Sequence, residues 1–138
     1  MAYSNVPIFT QSIGNAAVNI VSTGAATPVS LVAGGTNGAK VSWVNCYTTD
    51  TSANTVTFYL YNGSTSYPLT VVTVPASSGT TGSTVPFTPF LNSQLPFLTF
   101  DSNGNKYLYL APSWSLYVSA AAVTSAKTLT ITAEYELF

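Results

Sequence analysis

The chain has 138 residues, with three basic (Lys40, Lys106, Lys127), four acidic (Asp50, Asp101, Glu134, Glu136), no arginine and no histidine, for a net charge of −1. Three scattered lysines cannot displace the counterions of a phosphate backbone, which argues against a nucleic-acid reader. One cysteine without any histidine leaves acid–base and metal chemistry short of its usual donors. Solubility falls instead to neutral polar groups, since Ser and Thr supply 38 residues, in a length that suits one domain burying about two-thirds of its unfolded surface.

Met1 to Pro7 carry neither the basic start nor the apolar run of about 7–15 residues that marks a secretory signal, so synthesis in a cytoplasm is expected. No unbroken apolar stretch approaches the roughly 18 residues of a membrane helix, and no membrane partner is expected. Residues 1–15 mix Tyr3, Val6, Pro7, Ile8 and Phe9 with polar residues and show no regular period. They read as an extended arm ahead of a single domain at 16–138. Either the arm docks on a neighbouring surface or it forms a first edge strand on its own domain, and both readings stay open.

Segments 16–21 and 28–33 are short strand candidates. The cluster Gly34-Gly35-Thr36-Asn37-Gly38 follows them and leads into the strand-like 39–48, without the lysine–hydroxyl pair of a phosphate-binding loop; it reads as a loop between strands. Cys46 lies alone in that third strand, so no intrachain disulfide forms, and it reads as a small buried hydrophobe.

The clearest stretch is 55–64, where Val56, Phe58 and Leu60 alternate with Thr55, Thr57, Tyr59 and Tyr61, the period-2 pattern of a strand buried on one face. Asn62-Gly63 supplies the positive-φ residues of a tight turn. A two-residue loop there sets Phe58 against Tyr67 and Val56 against Leu69. It also puts Pro68, which has no N–H to give, at a hydrogen-bonded site, so either a sheet edge or a bulge is expected at Pro68. Residues 75–83 are a loop rich in Ser, Thr and Gly. In 85–98, prolines alternate with large apolar groups, including Phe87, Phe90 and Phe97; these rings either plug one end of the core or form an apolar patch for a partner.

Asp101-Ser102-Asn103-Gly104-Asn105 reads as a hairpin turn, because its glycine comes too early for a calcium loop and no glutamate closes it. Residues 106–110 and 114–119 alternate again. The last run is the most regular: Leu129, Ile131, Ala133, Tyr135 and Leu137 share one face, and Thr128, Thr130, Thr132, Glu134 and Glu136 the other. The two glutamates stand roughly 7 Å apart on that face. They belong to a solvated surface, oppose a lysine or cation, or keep an edge strand from indiscriminate pairing.

Short strands, close-set glycine and asparagine turns and no helical period of ten residues point to an all-β antiparallel sandwich. A jelly roll is preferred for eight strands in this length, with an immunoglobulin-like arrangement as the alternative. Trp43 and Trp114 read as core or sheet-rim packing. A carbohydrate-binding module predicts instead that they join an exposed, coplanar set of rings.

Gly34-Gly35-Thr36-Asn37-Gly38 before a strand, the hairpin at 57–64 and the run at 101–110 together resemble the small all-β structural proteins of tailed bacteriophages, most of all capsid decoration (cement) proteins. The similarity spans roughly 27–136, and the arm at 1–15 lies outside it. The resemblance implies a non-enzymatic homodimer or homotrimer on the capsid exterior of the virion, with the major capsid protein as partner and no cofactor. The expected partner interface is Tyr3, Val6, Ile8 and Phe9 of the arm with Phe87, Phe90 and Phe97; no catalytic or metal-binding residue is expected. A fibre or receptor- or carbohydrate-binding module and a major coat subunit are the alternatives.

Overall fold

Alternation of apolar and polar side chains makes strands of most of this chain, and the turn residues between them set where each strand stops. The computed structural model describes residues 9–89 and 98–138. Among these the strands are β1 (Ser12–Val21), β2 (Val29–Ala33), β3 (Ala39–Thr48), β4 (Asn54–Tyr61), β5 (Ser66–Val74), β6 (Thr99–Phe100), β7 (Lys106–Leu110), β8 (Ser115–Ala120) and β9 (Thr128–Leu137). They form two antiparallel sheets, ordered β1-β9-β3-β7-β6 and β2-β8-β4-β5. β1 starts at Ser12, so residues 12–15, expected in the arm, pair with the end of β9.

The pairing is nested: β1 lies beside β9, β2 beside β8, β3 beside β7 and β4 beside β5. Eight strands folded back on themselves in this way over two sheets are compatible with a jelly roll. The immunoglobulin-like order, in which the first strand lies beside the second, does not match, because β2 stands in the sheet opposite β1.

The core lies between the sheets. Val41, Val44 and Cys46 of β3 and Leu129, Ile131 and Ala133 of β9 meet Val56 and Phe58 of β4, Val72 of β5 and Leu116 and Val118 of β8, all buried. Each fully buried Val, Leu, Ile or Phe contributes about 1.5–3 kcal/mol of apolar burial. β9 follows the expected parity closely, with Leu129, Ile131 and Ala133 inward and the threonines outward.

Three expectations need correction. The β4–β5 loop is not two residues long: Tyr61 pairs with Ser66 and Val56 with Val72. The Asn62 side chain dictates this, since its Oδ1 accepts from the backbone N–H of Ser64 at 3.0 Å and of Thr65 at 2.8 Å, closing a wider turn around Gly63 at φ 95°. β9 is no edge strand but lies between β1 and β3, so Glu134 and Glu136 guard no edge. Trp43, read as core or sheet-rim packing, is not in the core; it stands on the outer face of β3, 37% exposed. The expectation at Pro68 holds in both of its forms, as β5 is a sheet edge and the register shifts by one residue beside Pro68.

β7 reaches only Ala39, Lys40 and Val41 of β3. Farther along the same side of β3, loop backbone takes over the hydrogen bonds: Cys46 N–H donates to Phe87 O at 2.7 Å, Phe87 N–H to Cys46 O at 3.0 Å, and Thr48 N–H to Ser78 O at 3.0 Å. This covers a strand side that would otherwise expose unpaired N–H and C=O groups. Between the two covered stretches, at Ser42 to Asn45, a notch remains among the described residues.

Candidate interaction surface

The ionisable groups are spread through the fold, each held by its own partners. Asp50, buried at the end of β3, accepts hydrogen bonds from Thr124 N–H and Thr124 Oγ1, both at 2.8 Å, from Ser52 N–H at 3.0 Å and from Asn54 Nδ2 at 3.1 Å. The backbone N–H groups of Thr124 and Ser52, aided by the two side chains, hold its carboxyl well below the usual carboxylate range. Its lone pairs are taken, so it acts as a clamp between the β3–β4 and β8–β9 loops. Asp101 closes the β6–β7 turn, with Oδ1 accepting from Asn103 and Asn105 N–H at 2.8 Å each, and the Asn105 bonds foremost lower its pKa. Burial pushes the Cys46 thiol up to about 12. Among the described residues no three His, Cys, Asp or Glu side chains gather where a metal ion would sit. Nor is any helix long and apolar enough to cross a membrane.

The notch on β3 opens into a groove of about 800 Å³ on the outer side of the five-stranded sheet. Trp43, Phe100 and Tyr107 wall it, with Lys40, Asp101 and Asn105 among its polar lining. Its charges are largely matched: Lys40 Nζ lies 3.4 Å from Glu136 Oε1 and 5.3 Å from the centre of the Tyr107 ring. Burial, then neighbouring Tyr109, raise the Tyr107 pKa. The lining thus sets aromatic rings beside the Lys40–Glu136 ion pair and the Asp101 turn.

Phe9 stands at the entrance to β1, 73% exposed. Thr10 Oγ1 donates to Glu136 Oε2 at 2.7 Å and Gln11 N–H to Leu137 O at 2.7 Å, so Thr10 and Gln11 sit at the corner where Glu136 lines the groove. Phe87, by contrast, packs its ring against the core while its backbone bridges Cys46. Nearby Val85 is 79% exposed, and Leu98 is buried at 5%. Tyr3, Val6, Ile8, Phe90 and Phe97 lie outside the described residues.

A second aromatic surface is assembled from strands far apart in the sequence. On the outer face of the four-stranded sheet, Tyr59 of β4 stands opposite Tyr117 of β8, and the Tyr61 and Tyr117 rings lie 4.4 Å apart. Tyr59 OH and Ser119 Oγ share a hydrogen bond of 3.1 Å on this face; apart from it, Tyr67, which the register sets opposite Leu60, stacks on Trp114 at 6.1 Å. Alternation already places Tyr59 and Tyr61 outward, but nothing local in the sequence brings Tyr117 to them. Trp43 lies on β3 of the five-stranded sheet and Trp114 in the turn just ahead of β8, each with its own ring neighbours, so they form no common platform.

The geometry defines a class: a β-sandwich with rings and hydroxyls on its outer faces and little charge. No family model and no curated protein matches the chain. Among solved structures it is similar to a chain of the cyanophage Pam1 capsid asymmetric unit. The similarity covers 100% of this chain and 93% of that one, with 13% identity and a TM-score of 0.44.

Proposed function

We propose that this chain is a non-enzymatic structural protein of a phage virion, which assembles as a homo-oligomer and binds the outer surface of the capsid, tying neighbouring copies of the major capsid protein together. The observation that carries this reading is the placement of rings and hydroxyls on both outer faces of a two-sheet frame, with Phe9 and Ile13 standing 73% and 71% exposed at one corner. Rigid tyrosine and tryptophan side chains offer contact area at little entropic cost, and Ser, Thr and Asn adapt to bond partner backbone. On a lattice, modest contacts multiply because a molecule already held at one subunit meets the next at high effective concentration. With so few charges, such binding depends only weakly on salt.

A second reading is favoured by the groove beside Trp43, Phe100 and Tyr107, whose rings suit stacking on a sugar: a fibre or receptor-binding module. Quantitative mass spectrometry of purified particles separates the two. Hundreds of copies in a simple ratio to the major capsid protein support capsid binding, a handful favours a fibre, and absence from particles removes both. A major coat subunit instead forms shells when the purified chain is concentrated alone.

A further inference from the structure

Among the described residues the two sheets have four edges, and three of them are protected against pairing with another strand. β6 has only two residues. β2 has five and is broken by a register shift between Ser30 and Val32. β5 carries Pro68 and the bulge beside it. Short length, bulges and proline are the usual devices that blunt an edge. β1 has none of them: it runs ten residues in unbroken register with β9 and contains neither proline nor charge. Half of its backbone N–H and C=O groups face away from β9 and have no strand beside them among the described residues.

We propose that β1 is the edge on which a second copy of this chain docks, β1 against β1 in antiparallel fashion across a two-fold axis, joining two five-stranded sheets into one. The strand's own sequence selects both the occupant and the register. With Ala17 on the axis, the outward-facing residues pair Ile13 with the partner's Val21, Asn15 with the partner's Asn19, and Ala17 with the partner's Ala17. The core-side residues pair Gly14 with the partner's Ile20 and Ala16 with the partner's Val18. Ile13 and Val21, 71% and 45% exposed, thereby cover each other at both ends, and the two asparagines meet as amide donor and acceptor. A slip of two residues sets Ile13 against the partner's Asn19 and leaves Val21 open, so the apolar pattern favours the first register.

No like charges meet, because β1 has none and Glu134 and Glu136 stand one strand back on β9. A pair of this length makes about 8–10 backbone hydrogen bonds, the number an ordinary interface carries. An isologous contact of this kind closes on itself and yields a dimer without open-ended growth. The inference deepens the homo-oligomer part of the proposed function and is independent of what the dimer binds. A dimer in solution says nothing for or against the capsid, and the particle measurement says nothing about β1.

The test uses the full chain and Ala17→Cys. Directly opposed residues have Cβ atoms about 4.5–5.5 Å apart, close enough for a disulfide after slight adjustment. Cys46 is buried with no exposure and stays silent. Expected are a wild-type mass of twice 14.4 kDa by light scattering, a reducible covalent dimer from Ala17→Cys under mild oxidation, and none from Asn15→Cys alone. Asn15→Cys combined with Asn19→Cys restores the crosslink. Ala17→Lys, which sets two ammonium groups face to face, weakens association by up to about fivefold while its melting curve shows that it folds. A wild-type chain that stays monomeric on concentration overturns the proposal. So does an Ala17→Cys chain that fails to crosslink, or an Asn15→Cys chain that crosslinks as readily.

Discussion

Replacing Gly34 with alanine places a methyl group where the chain has left no room. Gly34 is buried at the end of β2, and its N–H donates to the carbonyl oxygen of Trp114 at 2.7 Å. A Cβ on this residue would overlap that same oxygen and lie 3.1 Å from the carbonyl oxygen of Ala111. Both obstacles are backbone, so no rotamer change relieves them; the β7–β8 turn must back away, and the hydrogen bond goes with it. Losing that bond costs about 1 kcal/mol, and overpacking a tight site costs about 1–3 kcal/mol more. Against the roughly 5–15 kcal/mol of an ordinary domain this is a large loss, and at this chain length it lowers Tm by about 6–20 °C. Gly82→Ala is the control, because its Cβ would meet nothing within 4 Å and its backbone is not left-handed. Calorimetric melts of the two variants beside wild type decide the matter. If Gly34→Ala melts within about 2 °C of Gly82→Ala, the close approach of the two turns is refuted.

Three further outcomes are expected. The Asp50 carboxyl titrates lower in the folded than in the unfolded chain, so below a pH of about 4 the unfolded chain binds more protons and the stability Asp50 supplies is lost as pH falls. Asp50→Ala therefore lowers Tm at neutral pH and flattens the acid side of the Tm–pH curve; an unchanged curve counts against the clamp to Thr124. Cys46, its thiol pushed up to about 12 by burial, resists thiol reagents in the native protein and reacts fully in denaturant. Prompt native labelling would contradict the packing of β3. Removing residues 1–9, ahead of the Thr10 bond to Glu136, leaves the melt near wild type and weakens binding to capsid shells in co-sedimentation; undiminished binding takes the arm out of the interface.

The two aromatic surfaces differ in how they arise. The Tyr59, Tyr61 and Tyr117 cluster follows from β4 lying beside β8, strands separated by more than fifty residues. The groove beside Trp43 follows from β7 stopping at Val41 while the loop at Phe87 resumes the pairing at Cys46. Either surface is therefore moved by changes far from it in sequence, in the turns that set how long each strand continues. Asn62 illustrates this on a small scale, for its side-chain bonds to Ser64 and Thr65 fix the loop length and hence which residues of β4 and β5 oppose each other.

Local patterning placed most of the strands, and alternation showed which faces of β4 and β9 turn inward. β3 begins and ends where alternation and the flanking loops place it, β9 buries Leu129, Ile131 and Ala133, and Asp101 forms a turn. These features are local: side-chain parity and turn chemistry act within a few residues and are legible in them. Tertiary structure alone decided the strand order, the central place of β9, the exposure of Trp43, the clamp joining Asp50 to Thr124, and the unprotected edge at β1. Each depends on which distant strands meet. That choice is made by closing long loops around a shared core, where the burial of both inner faces together outweighs any preference held by a single segment.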